Sequence, residues 1–477
     1  MGQYHFLVPQ ADRVSPQAVE TAYVCGRDRL PFIGQVSLGQ TGELTVFREE
    51  DESGTFHILW PVPNRGIVLL STATLVERLQ PYHLPLELAR GTLNRLRNLL
   101  ADWLASNLVV PDAVRTAIGK ALQMFIQSLA KQPAADLVAQ LAEQSIAASL
   151  EGIDAMAAAI VEHIWQARQR HAQKMFPLFV GRLAGGVPEP PVAAAFTAAF
   201  NAAAVPFTWG QVEADEGRQD WSACDAQIQW CQANGLRIAG GPLLDLRRSS
   251  LPDWIYLWEG DFENLLSVAG DFIRAVVTRY RGKVHFWNAA SRLISGDALN
   301  LDEEQKVRLA VRAVEVIRSL DPQTPVIVSF DQPWAEYMAR RESDLAPLQF
   351  ADALARADLG ISGVGLEINI GSSTLATLPR DQLEFNTMLD HWGSLGLPLL
   401  VSVAVPSGGN FTAALQQQWL ERFLPLLVVR PIVQAMIWNQ LFDQGADDFP
   451  HTGLVDSRGQ PKPAFQTVAA MRKQYSA

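Results

Sequence analysis

The chain has 477 residues, 48% of them hydrophobic, and a formal net charge of −11. It exceeds one ordinary domain of about 100–200 residues, and its apolar share excludes a chain too polar to bury a core. A pI near 5.3 excludes nucleic-acid binding through a basic face and favours a neutral or polar ligand.

Cys25, Cys224 and Cys231 are too few for a disulfide framework, and the seven-residue spacing of the last two suits one buried helix face. The histidines are scattered without ligand spacing, so no metal site and no cofactor are expected. The N-terminal Met-Gly-Gln-Tyr-His-Phe-Leu-Val-Pro has neither a basic region nor an apolar leader core. No uninterrupted apolar run reaches the roughly 18 residues of a membrane span. A cytoplasmic chain without a membrane segment is expected.

Residues 1–78 alternate β-rich runs with turn residues: Tyr4 to Val8, Glu20 to Cys25, Phe32 to Leu38, Leu44 to Glu49, Thr55 to Pro61 and Gly66 to Thr72. They predict a small antiparallel β-sandwich. A carbohydrate-binding module of this kind needs an exposed aromatic row, whereas a packing domain keeps Tyr4, Phe6, Phe32, Phe47, Phe56 and Trp60 inside.

Residues 79–174 change to a period near 3.6. Leucines from Leu86 to Leu104 line one helix, and Ala117, Ile118, Leu122, Phe125, Ile126 and Leu129 line a second. Ala-rich helices follow over Ala135 to Leu150 and Ile153 to Ala172. This helical region carries no catalytic constellation and reads as a spacer, a brace or a homo-oligomer interface.

From 175 to 477 strands and helices alternate. Strands are predicted at Leu178 to Leu183, Val205 to Trp209, Leu236 to Leu246, Val284 to Ala290, Val326 to Asp331, Gly363 to Ile370, Leu399 to Val405 and Ala435 to Phe442. Eight alternations predict a closed (β/α)₈ TIM barrel and hence a multidomain α/β chain.

Several landmarks of this region occur in the order of a known family. They are Phe200-Asn201 with Trp209, Gly217 and Asp225, then Leu251-Pro252-Asp253-Trp254, and then Arg279-Tyr280-Arg281-Gly282-Lys283-Val284 with Trp287. Later come Asp321-Pro322, Gly363-Val364-Gly365-Leu366, Trp438 and Pro461-Lys462-Pro463-Ala464-Phe465. Over residues 178–475 the chain resembles glycoside hydrolase family 10, the retaining xylanase-type barrels. The resemblance implies a barrel acting on O-glycosyl bonds of a poly- or oligosaccharide. It places the family's two catalytic glutamates where this chain has Arg292, in Ser291-Arg292, and Val403. Its sugar-gripping positions hold Ala204, Val205, Thr208 and Gly241. The usual residues therefore cannot run the retaining reaction, which needs two carboxyl groups about 5 Å apart.

The carboxyl ends of the predicted strands nevertheless carry polar and aromatic groups, and those ends converge in a barrel of this kind. Glu367 and Asp331 form the candidate catalytic pair, with Glu367 as general acid. The plain alternatives are a Glu367–Arg292 salt bridge and an Asp331 that caps the loop at Pro333. Substrate contacts are expected from Asp245, Trp254, Trp287, Asn288, Arg292, Trp334, Glu336, Asn369, Trp438 and Asn439, the tryptophans as sugar-stacking faces unless they lie in the core. Two functions follow: a divergent glycoside hydrolase with relocated carboxylates, or an inactive glycan-binding scaffold. The expected partner is a glycan.

Overall fold

The computed structural model describes residues 2–475 except 132–133, 171–176, 185, 297, 410 and 444–448. The expected boundary between residues 174 and 175 lies outside the described residues, as do the last two residues of the helix expected to end at Ala172. Two compact units are present. One holds residues 1–174 with 334–342 and 371–389; the other holds 175–333, 343–370 and 390–477.

The first unit opens with two four-stranded sheets. One contains Gly34–Leu38, Glu43–Arg48, Gly2–Leu7 and Tyr82–His83; the other contains Pro31–Phe32, Tyr23–Cys25, Thr55–Val62 and Gly66–Ser71. The pairing is antiparallel except that Gly2–Leu7 runs parallel to Tyr82–His83, a strand too short to leave a sequence pattern. The run predicted as one strand over Phe32 to Leu38 contributes to both sheets. The start of the run from Glu20 is instead a short helix, Pro16–Thr21, because the Ser15 side chain accepts from Ala18 N–H and Pro16 supplies a preset φ at the first helical position. Tyr4, Phe6, Phe56 and Trp60 are buried, and Phe47 alone of the six candidate aromatics is exposed.

Three helices follow, Leu84–Ala105, Asp112–Ala130 and Ala135–Arg170. The third joins the two helices predicted there into one of 36 residues. Gly152 permits close packing rather than a break: a Cβ there would meet Leu96 Cδ2 at 2.6 Å. The helix is long and apolar enough to cross a membrane by length and composition, yet half of that stretch is already buried. On Asp112–Ala130 the buried face is Val114, Ala117 and Ala121, so Leu122, Ile126 and Leu129, expected inside, are exposed.

In the second unit eight parallel strands close a barrel in chain order: Leu178–Arg182, Ala202–Val205, Arg237–Gly240, Phe286–Asn288, Val326–Asp331, Gly363–Asn369, Leu399–Ala404 and Val433–Trp438. Strand two lies upstream of its predicted place. Its Ala-Ala-Ala-Val run has weak β propensity, while Trp209 begins the short helix Trp209–Val212. Strand three ends early because Gly241 takes φ +110° and Pro242 has no N–H to continue a ladder. The chain resumes at Leu244–Asp245, which pairs with Ala290–Ser291 in a separate two-stranded sheet. Inside the barrel, Val180, Ala202, Ala204, Ala239, Phe286, Ile327, Leu400 and Ala435 form one core. Because strand side chains alternate, these positions fix which residues face inward along the seven strands that carry them. Cys224 and Cys231 lie buried on the helix Ser222–Ala233, where burial pushes their thiols up to about 11 and about 12.

Candidate functional site

Strands five and six pair in register with Asp331 opposite Glu367. Ile327 and Ser329 face the barrel interior, so Asp331 continues that face, and Glu367 lines the interior beside Asn288, Ser329 and Asn439. The strands approach closely at Gly365, where any Cβ would collide with the Ser329 hydroxyl. Ser329 in turn accepts from Asn288 Nδ2 at 2.9 Å.

The Glu367 carboxylate is held from two sides. Arg292 Nε donates to it at 3.2 Å and the Ser291 hydroxyl donates to its other oxygen. Arg292, which follows Ala290–Ser291, sits at φ +56° and lies over the Phe449 ring at 5.1 Å. A non-glycine residue in the left-handed region is strained, and such strain clusters at functional sites. The salt bridge allowed as the plain alternative for Glu367 is thus present.

Asp331 is the opposite case. It is 3% exposed, and among the described residues its carboxyl oxygens make no hydrogen bond of good geometry, the Ser295 hydroxyl being a weak partner. Burial raises its pKa, the Glu367 charge adds to the rise, and Arg292 with the Ser295 hydroxyl opposes it. Asp245 is buried too, but it is satisfied by Arg247 at 2.6 Å and by Ser250 at 3.1 Å. Burial works against its ionisation, yet Arg247, with Arg292 and Arg182 behind it, holds the carboxyl below its usual range.

Asn369 and Asn439, from strand six and the end of strand eight, join Arg182 in a chain: Arg182 Nη1 donates to Asn439 Oδ1 at 3.1 Å, and Asn439 Nδ2 donates to Asn369 Oδ1 at 3.1 Å. Above them lies a cavity of about 170 Å³. Arg182, Arg247, Arg292, Gln211, Asn439 and Gln440 supply much of its polar lining. Arg182 was missed from sequence, although alternation along Leu178–Arg182 places it inward at a carboxyl end.

Four expected contacts are corrected. Trp287 and Trp438 cannot stack on a sugar because Asn288 and Asn439 take the inward positions beside them. Trp287 is fully buried, donates to Asp321 Oδ2 at 2.9 Å and packs where a Cβ at Gly240 would sit 2.8 Å from its ring. Trp438 donates to Thr452 O at 3.1 Å and is equally enclosed. Trp334 and Glu336 fall in the first unit, where Arg380 lies 4.3 Å over the Trp334 ring and pairs with Glu336 at 2.6 Å. Trp254 keeps a partly open ring, packed edge-on against Trp209 at 5.8 Å. The same alternation turns Val403 outward, so strand seven presents Ser402 and Ala404 to the interior instead, and neither carries a carboxyl group. Trp287→Phe is expected to cost about 1–3 kcal/mol in urea unfolding, because it leaves Asp321 without its indole donor, and to leave glycan affinity unchanged; a changed affinity would return Trp287 to the site.

A model described as glycosyl hydrolase family 10 matches residues 192–309. Endo-1,4-beta-xylanase 5 of Arabidopsis thaliana is 23% identical over 234 residues, 48% of this chain and 39% of that protein. Endo-1,4-beta-xylanase C of Paenibacillus barcinonensis is 33% identical over 86 residues, 17% of this chain and 8% of that one. The chain therefore spans well under two thirds of these relatives. Among solved structures, xylanase 10B of Thermotoga petrophila in complex with xylobiose superposes with a TM-score of 0.51 at 15% identity, covering 66% of this chain and 98% of that one. The fold is that of the glycoside hydrolase barrels. Within that class, its fold is similar to that of the family 10 xylanase barrels.

Proposed function

We propose that this chain is a divergent glycoside hydrolase that cleaves an O-glycosidic bond of a poly- or oligosaccharide, with Asp331 as general acid and Glu367 as the opposing carboxylate. One observation carries the reading: two in-register carboxyl groups sit at the barrel mouth in different electrostatic environments, Glu367 paired with Arg292 and Asp331 buried with a raised pKa. Divergent environments of this kind assign acid and base roles. Neighbouring strands lie about 4.8 Å apart, which suits the roughly 5 Å separation of retaining chemistry. Asp331 protonates the leaving oxygen as the C–O bond breaks, and Glu367 takes the anomeric carbon. Water then displaces Glu367 while Asp331 recovers its proton from that water. The roles expected from sequence are exchanged, because the Arg292 pair suits Glu367 to a nucleophile's part rather than a proton donor's.

A screen over a broad panel of O-glycosides tests this. Turnover is expected in the native protein and a loss of at least about 100-fold in Glu367→Gln, with circular dichroism confirming the fold; undiminished turnover in that variant refutes the assignment. A second reading, glycan binding without hydrolysis, is favoured by the mouth cavity, whose lining includes no carboxylate among the described residues. Binding without turnover across the same panel would select it.

A further inference from the structure

We infer that the saccharide taken at the barrel mouth is anionic, carrying a carboxylate or sulfate that the three arginines of the mouth recognise; this deepens the glycan reading above and rests on it. The guanidinium groups come from three places: Arg182 at the end of strand one, Arg247 beyond strand three and Arg292 beyond strand four. All three line the same cavity of about 170 Å³. Their convergence has an independent sign, since the Asp245 carboxyl feels the positive charge of every one of them.

Each guanidinium is also held in place before a ligand arrives. Arg247 is fixed by Asp245 at 2.6 Å, Arg292 by Glu367 at 3.2 Å and by the Phe449 ring, and Arg182 by Asn439 at 3.1 Å. Groups fixed in this way lose little entropy on binding. An uncharged sugar has hydroxyls that amides and serines recognise adequately. The three guanidinium groups outnumber their two carboxylate partners, Asp245 and Glu367, so the cavity keeps an excess of positive charge that such a ligand leaves unused. A planar carboxylate or a sulfate meets that excess, because the arginine fork matches two acceptor oxygens at once. Gln211 lines the same cavity and is left for the sugar hydroxyls, whereas the Thr452 and Gln440 side chains there are hydrogen-bonded to each other.

The test is calorimetric titration of the full chain with three probes: an oligogalacturonate, a sulfated disaccharide and a neutral xylo-oligosaccharide, each at low and high salt. One or both acidic probes are expected to bind more tightly than the neutral one, with affinity that falls as salt rises. A preference for the oligogalacturonate assigns the carboxylate, and a preference for the sulfated probe assigns the sulfate. Arg182→Gln is expected to weaken the acidic probes about 10- to 100-fold and the neutral probe by a smaller factor; an equal loss for both overturns the inference. Should that variant fail to fold, the salt dependence of the native protein decides alone. Equal or tighter binding of the neutral probe, salt-insensitive affinity, or no binding of either acidic probe overturns the inference. Acidic probes that bind while the whole O-glycoside panel goes uncleaved overturn the hydrolytic reading and leave this one standing.

Discussion

Asp331→Asn is expected to make the protein harder to unfold at neutral pH while lowering turnover by about 100- to 10,000-fold, the usual contribution of a general acid. The two effects have one cause. Burial and the neighbouring Glu367 raise the Asp331 pKa in the folded state, whereas the unfolded chain holds it near 3.9. From about pH 4 upward the folded protein therefore binds this proton more tightly than the unfolded chain. Stability from Asp331 is fully present below that pH and is lost as pH rises through the folded value. The Asn variant lacks this slope. Its unfolding free energy in urea should match that of the native protein near pH 4 and exceed it at pH 8 by about 1–3 kcal/mol, the cost of a poorly satisfied buried group. A group that serves only the fold gives the reverse result, a variant less stable at every pH. Equal stability at pH 4 and 8 would show that Asp331 does not carry the strain assigned to it.

The barrel was legible in sequence because strands five to seven, buried on both faces, are near-continuous apolar runs, as in Val326–Asp331 and Leu399–Ala404. Strand two was not, since Ala202–Val205 lies within an alanine-rich stretch where nothing separates strand from helix. At the site, the strand ends hold Asp331 in register with Glu367, and Arg292 pairs with Glu367. Alternation also held information that went unused. Trp287 and Asn288 are consecutive on one strand and cannot both face the bowl, and the same is true of Trp438 and Asn439. Polarity decides each pair in favour of the asparagine, leaving the tryptophan to the outer face where a large apolar ring gains most from burial. Trp334 and Glu336 were beyond reach for another reason. Their partner Arg380 lies 44 residues from Glu336, a pairing that no local spacing encodes.

That pairing leads to the largest stability effect expected in the first unit. Arg380 Nη1 donates to Glu336 at 2.6 Å and to Leu378 O at 3.1 Å, and Nη2 donates to the Tyr23 hydroxyl at 2.7 Å. Both charged side chains are almost wholly enclosed, at 4% and 2% exposure. Arg380→Met strands the Glu336 carboxylate in that interior, and breaking such a pair from one side costs about 3–5 kcal/mol. Adding Glu336→Leu removes the stranded charge and should recover most of the loss, because a buried pair and a well-packed apolar replacement are often close in energy. His57 offers a second readout at the same locus. It stacks on Tyr23 at 4.9 Å, and burial, with the Arg380 and Arg95 charges behind it, lowers its pKa to about 3. The unfolded chain holds this imidazole near 6.5, so its contribution to stability is complete above that value and is lost as pH falls toward 3. Removing Arg380 takes away one of the charges that keep the ring neutral. In Arg380→Met the His57 ring resonances should titrate at higher pH than in the native protein. A variant that loses 3–5 kcal/mol with no such movement would mean that Arg380 acts through packing on Trp334 rather than through its charge.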